Sequence, residues 1–542
     1  MNQEILQPPV LASETSEESV EKAGSWRSYI PAGLAIGGSL LLLVWRINSA
    51  GSAHFISDGA LMMLALAAYL TAAVFYLTDL YAPSNVAERL GTWGATLGVF
   101  FNLSSWLVRW VGAYERELDI FISQGRPPSE MPWFFRYVPF ANLYDLSLAF
   151  AFGAGIATLL VIKRQQFRIV AALSLPLAAI ILTLARFIGG EFIDLPPVLD
   201  SYWRPIHVGV ASLSYGVALV CFAVAVLYLL KDGLKVQAMA IWTSLFALAV
   251  FATISKFSVF APGSFGTYTA SVFMGEEQRM PLALRADIPY VGWLLVAAGA
   301  FLAGAIVSYG IYLSKRDEKA AKAGRWLMRF ALLVQGAGIG ALVYQIKNVQ
   351  SVLDHINPGG YERFAVWMLQ QQDVPQQQIN VMGAAQLKNI ADAWIGQNAS
   401  QLHLGLQSNP VELAALITAF TGTFFIVLFS IKTEKIRAAL PSAEVLDRLM
   451  YKLAGVAFAG LALLLITGAV WANESWGRYW GWDAKEVGAL IAWLTYAGFL
   501  HSRIARGWTG RRSAYFAIVA FLFVIFTYLG VSYLLPGLHS YA

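Results

Sequence analysis

Thirteen predominantly apolar runs alternate with polar stretches along the chain, near residues 30–48, 59–80, 91–111, 141–162, 169–188, 206–230, 238–260, 288–313, 326–346, 411–431, 452–470, 486–503 and 513–535. A helix needs about 20 residues to cross roughly 30 Å of hydrocarbon, and most of these runs reach that length. Backbone N–H and C=O groups facing lipid must be satisfied within their own segment, so each run is read as a helix. The pattern predicts an all-α polytopic membrane protein with about 13 transmembrane helices.

The polar stretches give these helices a direction. Basic residues collect in alternate connections: Lys163, Arg164 and Arg168; Lys231 and Lys235; Lys315, Arg316, Lys319, Lys322 and Arg325; Lys432, Lys435 and Arg437; Arg503, Arg506, Arg511 and Arg512. Cytoplasmic loops carry such an excess, which sets a cytoplasmic N-terminus and an outward C-terminus. The stretches 112–140, 189–205, 347–409 and 471–486 then face outward. Residues 1–28 hold a polar, partly acidic tract without the order of a signal peptide, and read as a disordered cytoplasmic tail. The 347–409 stretch holds helix-compatible segments and reads as a small helical cap. Its His355 and His403 show no metal-ligand spacing.

Composition agrees with the pattern. Of 542 residues, 58% are apolar and 13% charged, which excludes a soluble globular class and places the chain in a lipid bilayer. The net charge of +5 is accounted for by the orientation signal, so no nucleic-acid partner is expected. The single cysteine, Cys221, lies in an apolar run and allows neither an internal disulfide nor a CxxC redox pair.

One connection breaks the pattern. The segment Trp471–Glu486, WANESWGRYWGWDAKE, packs four tryptophans and a tyrosine among Arg478, Asp483, Lys485 and Glu486. An interfacial aromatic belt explains two or three such residues. Four indoles (Trp471, Trp476, Trp480 and Trp482) interleaved with charges and glycines point instead to a platform for a flat, aromatic, partly charged ligand. Arg478 and Lys485 are the candidate partners for its anionic groups. Asp483 and Glu486 are candidates for acid or base work, or for capping the helix that follows.

Three of the six histidines bear on this loop. His207 opens the sixth run and His539 follows the last, both on the outward side, while His501 lies about fifteen residues into the twelfth run, near the inner side. Ionisable groups within spans are rare and mark functional sites. Taken singly, an interfacial histidine is the simpler reading for each. Taken together, two outward imidazoles flanking an aromatic loop suit an iron porphyrin, whose iron accepts axial imidazole.

The residues carry a resemblance. WGRYWGWDAKE resembles the tryptophan-rich signature of haem-handling membrane proteins of cytochrome c maturation. Its flanks, from LDRLMYKLAGVAF to FLHSR and GWTGRRSAYF to LLPGLHSY, are similar to the CcsA family, also called ResC. RYVPFANLYDLSLAF and the helix of His207 resemble its upstream segments, so the likeness covers about 52–230 and 445–542. It implies outer axial ligands at His207 and His539, a membrane haem ligand at His501, haem b as bound substrate, and a ResB/CcsB-type membrane partner. It further implies attachment of haem to CxxCH of an apocytochrome c at the outer face of a bacterial inner membrane. The departures are an extra helix at 29–51 and an inserted four-span segment at 235–445, which divide the core into 52–234 and 446–542. Rival readings are a haem-delivery or storage protein without ligation activity, and a secondary transporter, for which no internal repeat is seen.

Overall fold

The computed structural model describes residues 26–49, 55–190, 192, 197–253, 265–274, 285–347, 355, 358–372, 374–398, 402–405 and 410–531. The first six α-helices are α1 (Ile30–Asn48), α2 (Asp58–Tyr81), α3 (Asn85–Ser123), α4 (Leu143–Ile162), α5 (Arg168–Ile188) and α6 (Trp203–Lys231). Then come α7 (Val236–Thr253), α8 (Val291–Lys315) and α9 (Glu318–Lys347), and a cap of α10 (Pro358–Gln371), α11 (Gln376–Asn380) and α12 (Ala384–Asn398). The chain returns through α13 (Pro410–Ile431) and α14 (Thr433–Ala439) to α15 (Ala443–Trp476), α16 (Ala484–Arg506) and α17 (Arg511–Ile525). The all-α polytopic architecture expected from the pattern is present. Ten of the described helices are long and apolar enough to cross a membrane.

The other three expected spans are helices as well, and their weaker apolar signal has a physical cause. In α3 the polar side chains turn inward and are satisfied by neighbouring helices. Asn102 Nδ2 donates to the Leu148 carbonyl at 2.9 Å, Ser104 Oγ to Ser39 Oγ at 3.2 Å and Ser105 Oγ to the Asp58 carbonyl at 2.8 Å. Helix α7 is short, and the end of its apolar run lies outside the described residues. Helix α16 mixes Trp493, Thr495, Tyr496 and His501 into its apolar residues.

Side-chain caps set several helix starts. Asn142 Oδ1 accepts from the Asp145 amide at 2.9 Å, Ser57 Oγ from Ala60 at 3.2 Å and Ser442 Oγ from Val445 at 3.4 Å, satisfying N–H groups that have no partner within a helix. Pro176 lies inside α5 without interrupting it.

The segment between α7 and α13 is not purely helical outside its apolar helices. Three short strands, β1 (Thr269–Met274), β2 (Arg285–Asp287) and β3 (Leu402–Gly405), form an antiparallel sheet in the order β2-β1-β3. Ser271 faces Gly405 and Phe273 faces His403 across the β1–β3 pair. Strands of three to six residues are too short to leave a periodic signal, and β3 lies more than a hundred positions from its partner β1. The loop before α8 and the end of the cap are thereby tied together, and the Asp287 amide donates to the His355 carbonyl at 3.0 Å.

Close helix contacts hold the core. Gly153 of α4 and Gly216 of α6 touch backbone to backbone, since a Cβ at Gly216 would stand 2.2 Å from the Gly153 carbonyl carbon. Small residues permit such approach where lipid supplies little hydrophobic drive between helices. Helix α15 lies along α6, with Gly460 against Ser214 and the Cys221 Sγ 3.6 Å from the Met450 carbonyl.

The two ends of the bundle differ in chemistry. One end gathers the basic clusters in specific clamps. Arg503 grips Asp447, which also accepts from the Gly510 amide at 3.1 Å; Arg511 pairs with Asp232; Lys231 Nζ donates to the Arg437 and Leu440 carbonyls. The opposite end brings together the starts of α4, α6 and α16 with the ends of α15 and α17, and there the cleft lies.

Candidate functional site

Helix α15 ends at Trp476 because Gly477 adopts φ +69°, a left-handed conformation cheap only for glycine. The chain turns through Arg478–Trp482 and re-enters a helix at Asp483. There a reciprocal cap forms: Asp483 accepts from the Lys485 amide at 3.2 Å, and Glu486 Oε2 accepts from the amides of Gly481 at 2.8 Å and Asp483 at 3.2 Å. Both carboxylates expected to cap or to catalyse are thus capping groups, and Glu486 also lines the cleft.

The cleft opens where this turn meets α4, α6 and α17. Its walls include Phe140, Asn142, Leu464, Gly468, Trp471, Trp476, Tyr479 and Trp480, with Thr527 and Tyr528 opposite. It holds about 1080 Å³ of empty space, its open mouth included. The last two residues come from a turn of π-helix, Phe526–Gly530, that follows α17. Such turns recur where a helix must re-aim side chains at a site.

His207 is the focus of the cleft. Its Nδ1–H donates to the Leu464 carbonyl at 3.0 Å, with Thr467 Oγ1 at 3.4 Å. That bond selects the neutral tautomer whose lone pair is on Nε2, the arrangement usual for metal-ligating imidazoles. The ring lies 5.7 Å from the Trp471 ring at a 45° tilt. Gly468 makes this seat: a Cβ there would stand 2.7 Å from the imidazole Cε1.

Lys485 is the one lysine or arginine among the described residues lining the cleft. Burial lowers its ammonium from the ordinary lysine range to about 8, and the neighbouring Asp483 carboxylate opposes part of that shift.

The expected site residues therefore divide. His207, Trp471, Trp476, Trp480 and Lys485 converge on the cleft. Trp482, at φ +56° and 73% exposed, turns away and meets Trp480 edge-on at 5.9 Å. Arg478 is exposed and folds over Gly481, outside the lining. His501 is exposed sixteen residues beyond Lys485, which at about 1.5 Å per residue is roughly 24 Å along the same helix, at the basic end. His539 lies outside the described residues. Leu464, Gly468 and Tyr528 carry no sequence motif, since a backbone carbonyl, a missing Cβ and a π-turn leave none.

A second constellation adjoins the cleft. Arg109, fully buried in α3, pairs with Asp145 and reaches Asp58 Oδ2 at 3.3 Å and the Gly190 carbonyl at 2.6 Å. Its guanidinium lies 4.5 Å over Tyr144 and 4.4 Å over Phe192. Tyr144 and Asp145 thus serve this network, while Asn142 lines the cleft.

Fold and site together define a multi-pass α-helical membrane protein with an imidazole- and indole-lined cleft at one end. The sequence matches the model of the cytochrome C assembly protein family over residues 140–277 and 401–539, about half the chain. A cytochrome c biogenesis protein CcsA of Nostoc punctiforme is 30% identical over 282 residues, 51% of this chain and 68% of that protein. CcsA of Gloeobacter violaceus is 56% identical over 99 residues and that of Guillardia theta 54% over 98, each 18% of this chain. These two alignments span only 29% and 33% of the relatives' own length. The chain belongs to the cytochrome c assembly protein family and is of the CcsA type.

Proposed function

We propose that this protein handles haem in cytochrome c maturation. It exports haem b across a bacterial inner membrane and presents it at the outer face for thioether attachment to CxxCH of an apocytochrome c, with a ResB/CcsB-type partner. The observation that carries this reading is the His207 seat, an imidazole held by Leu464 in the tautomer that ligates iron, facing a wall of indoles. His539 is the second axial ligand of the outer site. His501, at the far end of α16, takes haem at the inner side together with a histidine of the partner.

The indoles hold the porphyrin face and Lys485 meets a propionate. The protein supplies chiefly orientation and proximity. Asp483 and Glu486 hold the turn rigid through their caps. Purified protein from haem-replete cells should show a bis-histidine haem spectrum, and His207→Ala should abolish it, with partial recovery on adding imidazole. Co-expression with a ResB-type partner and an apocytochrome should then yield covalent cytochrome c. A colourless wild-type protein would overturn the reading, and haem binding without covalent product would leave delivery alone.

A further inference from the structure

A second chamber, with about 1310 Å³ of empty space including its mouth, is lined in part by Arg136–Pro139 and Ala141. Ala141 lines both cavities, so the chamber adjoins the cleft's edge. Its described lining sets four guanidiniums, Arg109, Arg116, Arg136 and Arg204, among three carboxylates, Glu117, Asp145 and Asp200. Arg109 is committed to its buried network. Arg136 pairs with Asp200 at a half-exposed position, the kind of ion pair that adds little stability and exchanges readily. Arg204 is buried, and its Nη2 donates to the Arg136 carbonyl at 3.0 Å, which links the two.

Register ties this chamber to the site. Arg204 and His207 are three residues apart on α6, so they share a helix face, with the guanidinium about one turn nearer the helix start. A porphyrin carries both its carboxylates on one edge, remote from the iron. Lys485 can meet one of them. Arg478 lies outside the cleft lining, and Arg136 and Arg204 of the adjoining chamber are further cations on offer.

We propose that the arginine chamber receives the carboxylate edge of the ligand bound at His207, with Arg136 and Arg204 as its recognition residues and Asp200 as the carboxylate it displaces. This rests on the reading of the cleft as a haem site. Arginine suits the task because its planar fork binds a carboxylate through two parallel N–H bonds. The same chemistry could be met by an acidic side chain of a polypeptide, and the choice of probe separates the two.

The experiment compares binding of haem and of its dimethyl ester, which lacks the charges, to the purified full chain. Wild type should prefer haem by about tenfold or more, as charge-assisted hydrogen bonds imply. Arg136→Gln and Arg204→Gln should each cut that preference severalfold while the His207-dependent spectrum persists. Asp200→Asn removes the competitor and should tighten haem but not the ester, a gain that misfolding cannot mimic. Equal binding of the two probes by wild type would overturn the proposal. So would a preference unchanged in both arginine variants but lost in Lys485→Gln. Loss of apocytochrome ligation in Arg136→Gln with the probe preference intact would assign the chamber to a polypeptide carboxylate and likewise overturn it. Failure of both probes to bind would instead sink the haem reading itself.

Discussion

Gly468 and His207 are in contact across the α6–α15 seam, with no room for a methyl group between them: an added Cβ would lie 2.7 Å from Cε1 and 3.0 Å from Nδ1 of the imidazole. The site's principal donor is thus positioned by an absence. Gly468→Ala should swing the imidazole off its Leu464 anchor at a cost of about 0.5–1.5 kcal/mol, the scale of an off-rotamer side chain. Haem affinity should fall roughly two- to tenfold with the protein still folded. A titration that matched wild type would show that the ring has slack.

Lys485 makes binding of an anionic ligand depend on pH. Its ammonium titrates near 8, and only the charged form attracts a carboxylate. Affinity should therefore be full below about 8 and decline as pH rises through that value, and Lys485→Gln should flatten the profile. Stability runs the other way. Between about 8 and the ordinary lysine value the unfolded chain binds the proton that the folded chain has lost, so stability rises with pH across that window. Binding and melting profiles measured over pH 7–10 check both signs.

Asp483 separates a structural from a chemical role. As the N-cap of α16 it should cost about 1 kcal/mol on replacement by alanine, within a usual range of roughly 0.5–2 kcal/mol. Asp483→Ser keeps a capping oxygen and removes the carboxylate. Cytochrome c yield in the co-expression assay should survive serine and drop with alanine. Equal loss in both would assign the carboxylate to the chemistry.

Arg109 is the buried charge on which the cleft end of the bundle depends. Arg109→Leu leaves the carboxylates of Asp145 and Asp58 facing each other without it, and breaking such a pair costs about 3–5 kcal/mol. The variant should fail to accumulate in membranes, whereas Arg126→Gln, at an exposed pair, should be silent. Immunoblotting of membrane fractions decides it.

Much of this molecule is legible before any coordinates. The apolar runs locate the helices, because a backbone in lipid has few alternatives. The indole excess in Trp471–Glu486 locates the cleft, because no membrane belt needs that many. What escaped was non-local. Trp482 and Arg478 share the motif with Trp480, yet a left-handed residue at Trp482 turns it outward. Arg109 reads as an interruption of an apolar run, and its role depends on Asp145 and Asp58 in other helices. The cap looked wholly helical because its one strand, β3, needs the distant β1 as a partner to be a strand.

That sheet also imposes an order on biosynthesis. Strand β1 can pair with β2 almost at once, but its other edge waits for Leu402–Gly405, about 130 residues later. At roughly 5–20 residues per second the wait is on the order of ten seconds. During that interval two further apolar helices, α8 and α9, and the three cap helices must be made, while Thr269–Met274 keeps one open edge. The last strand to emerge fastens the sheet as a clasp after the α4 and α6 walls of the cleft are made but before synthesis of the aromatic turn has begun.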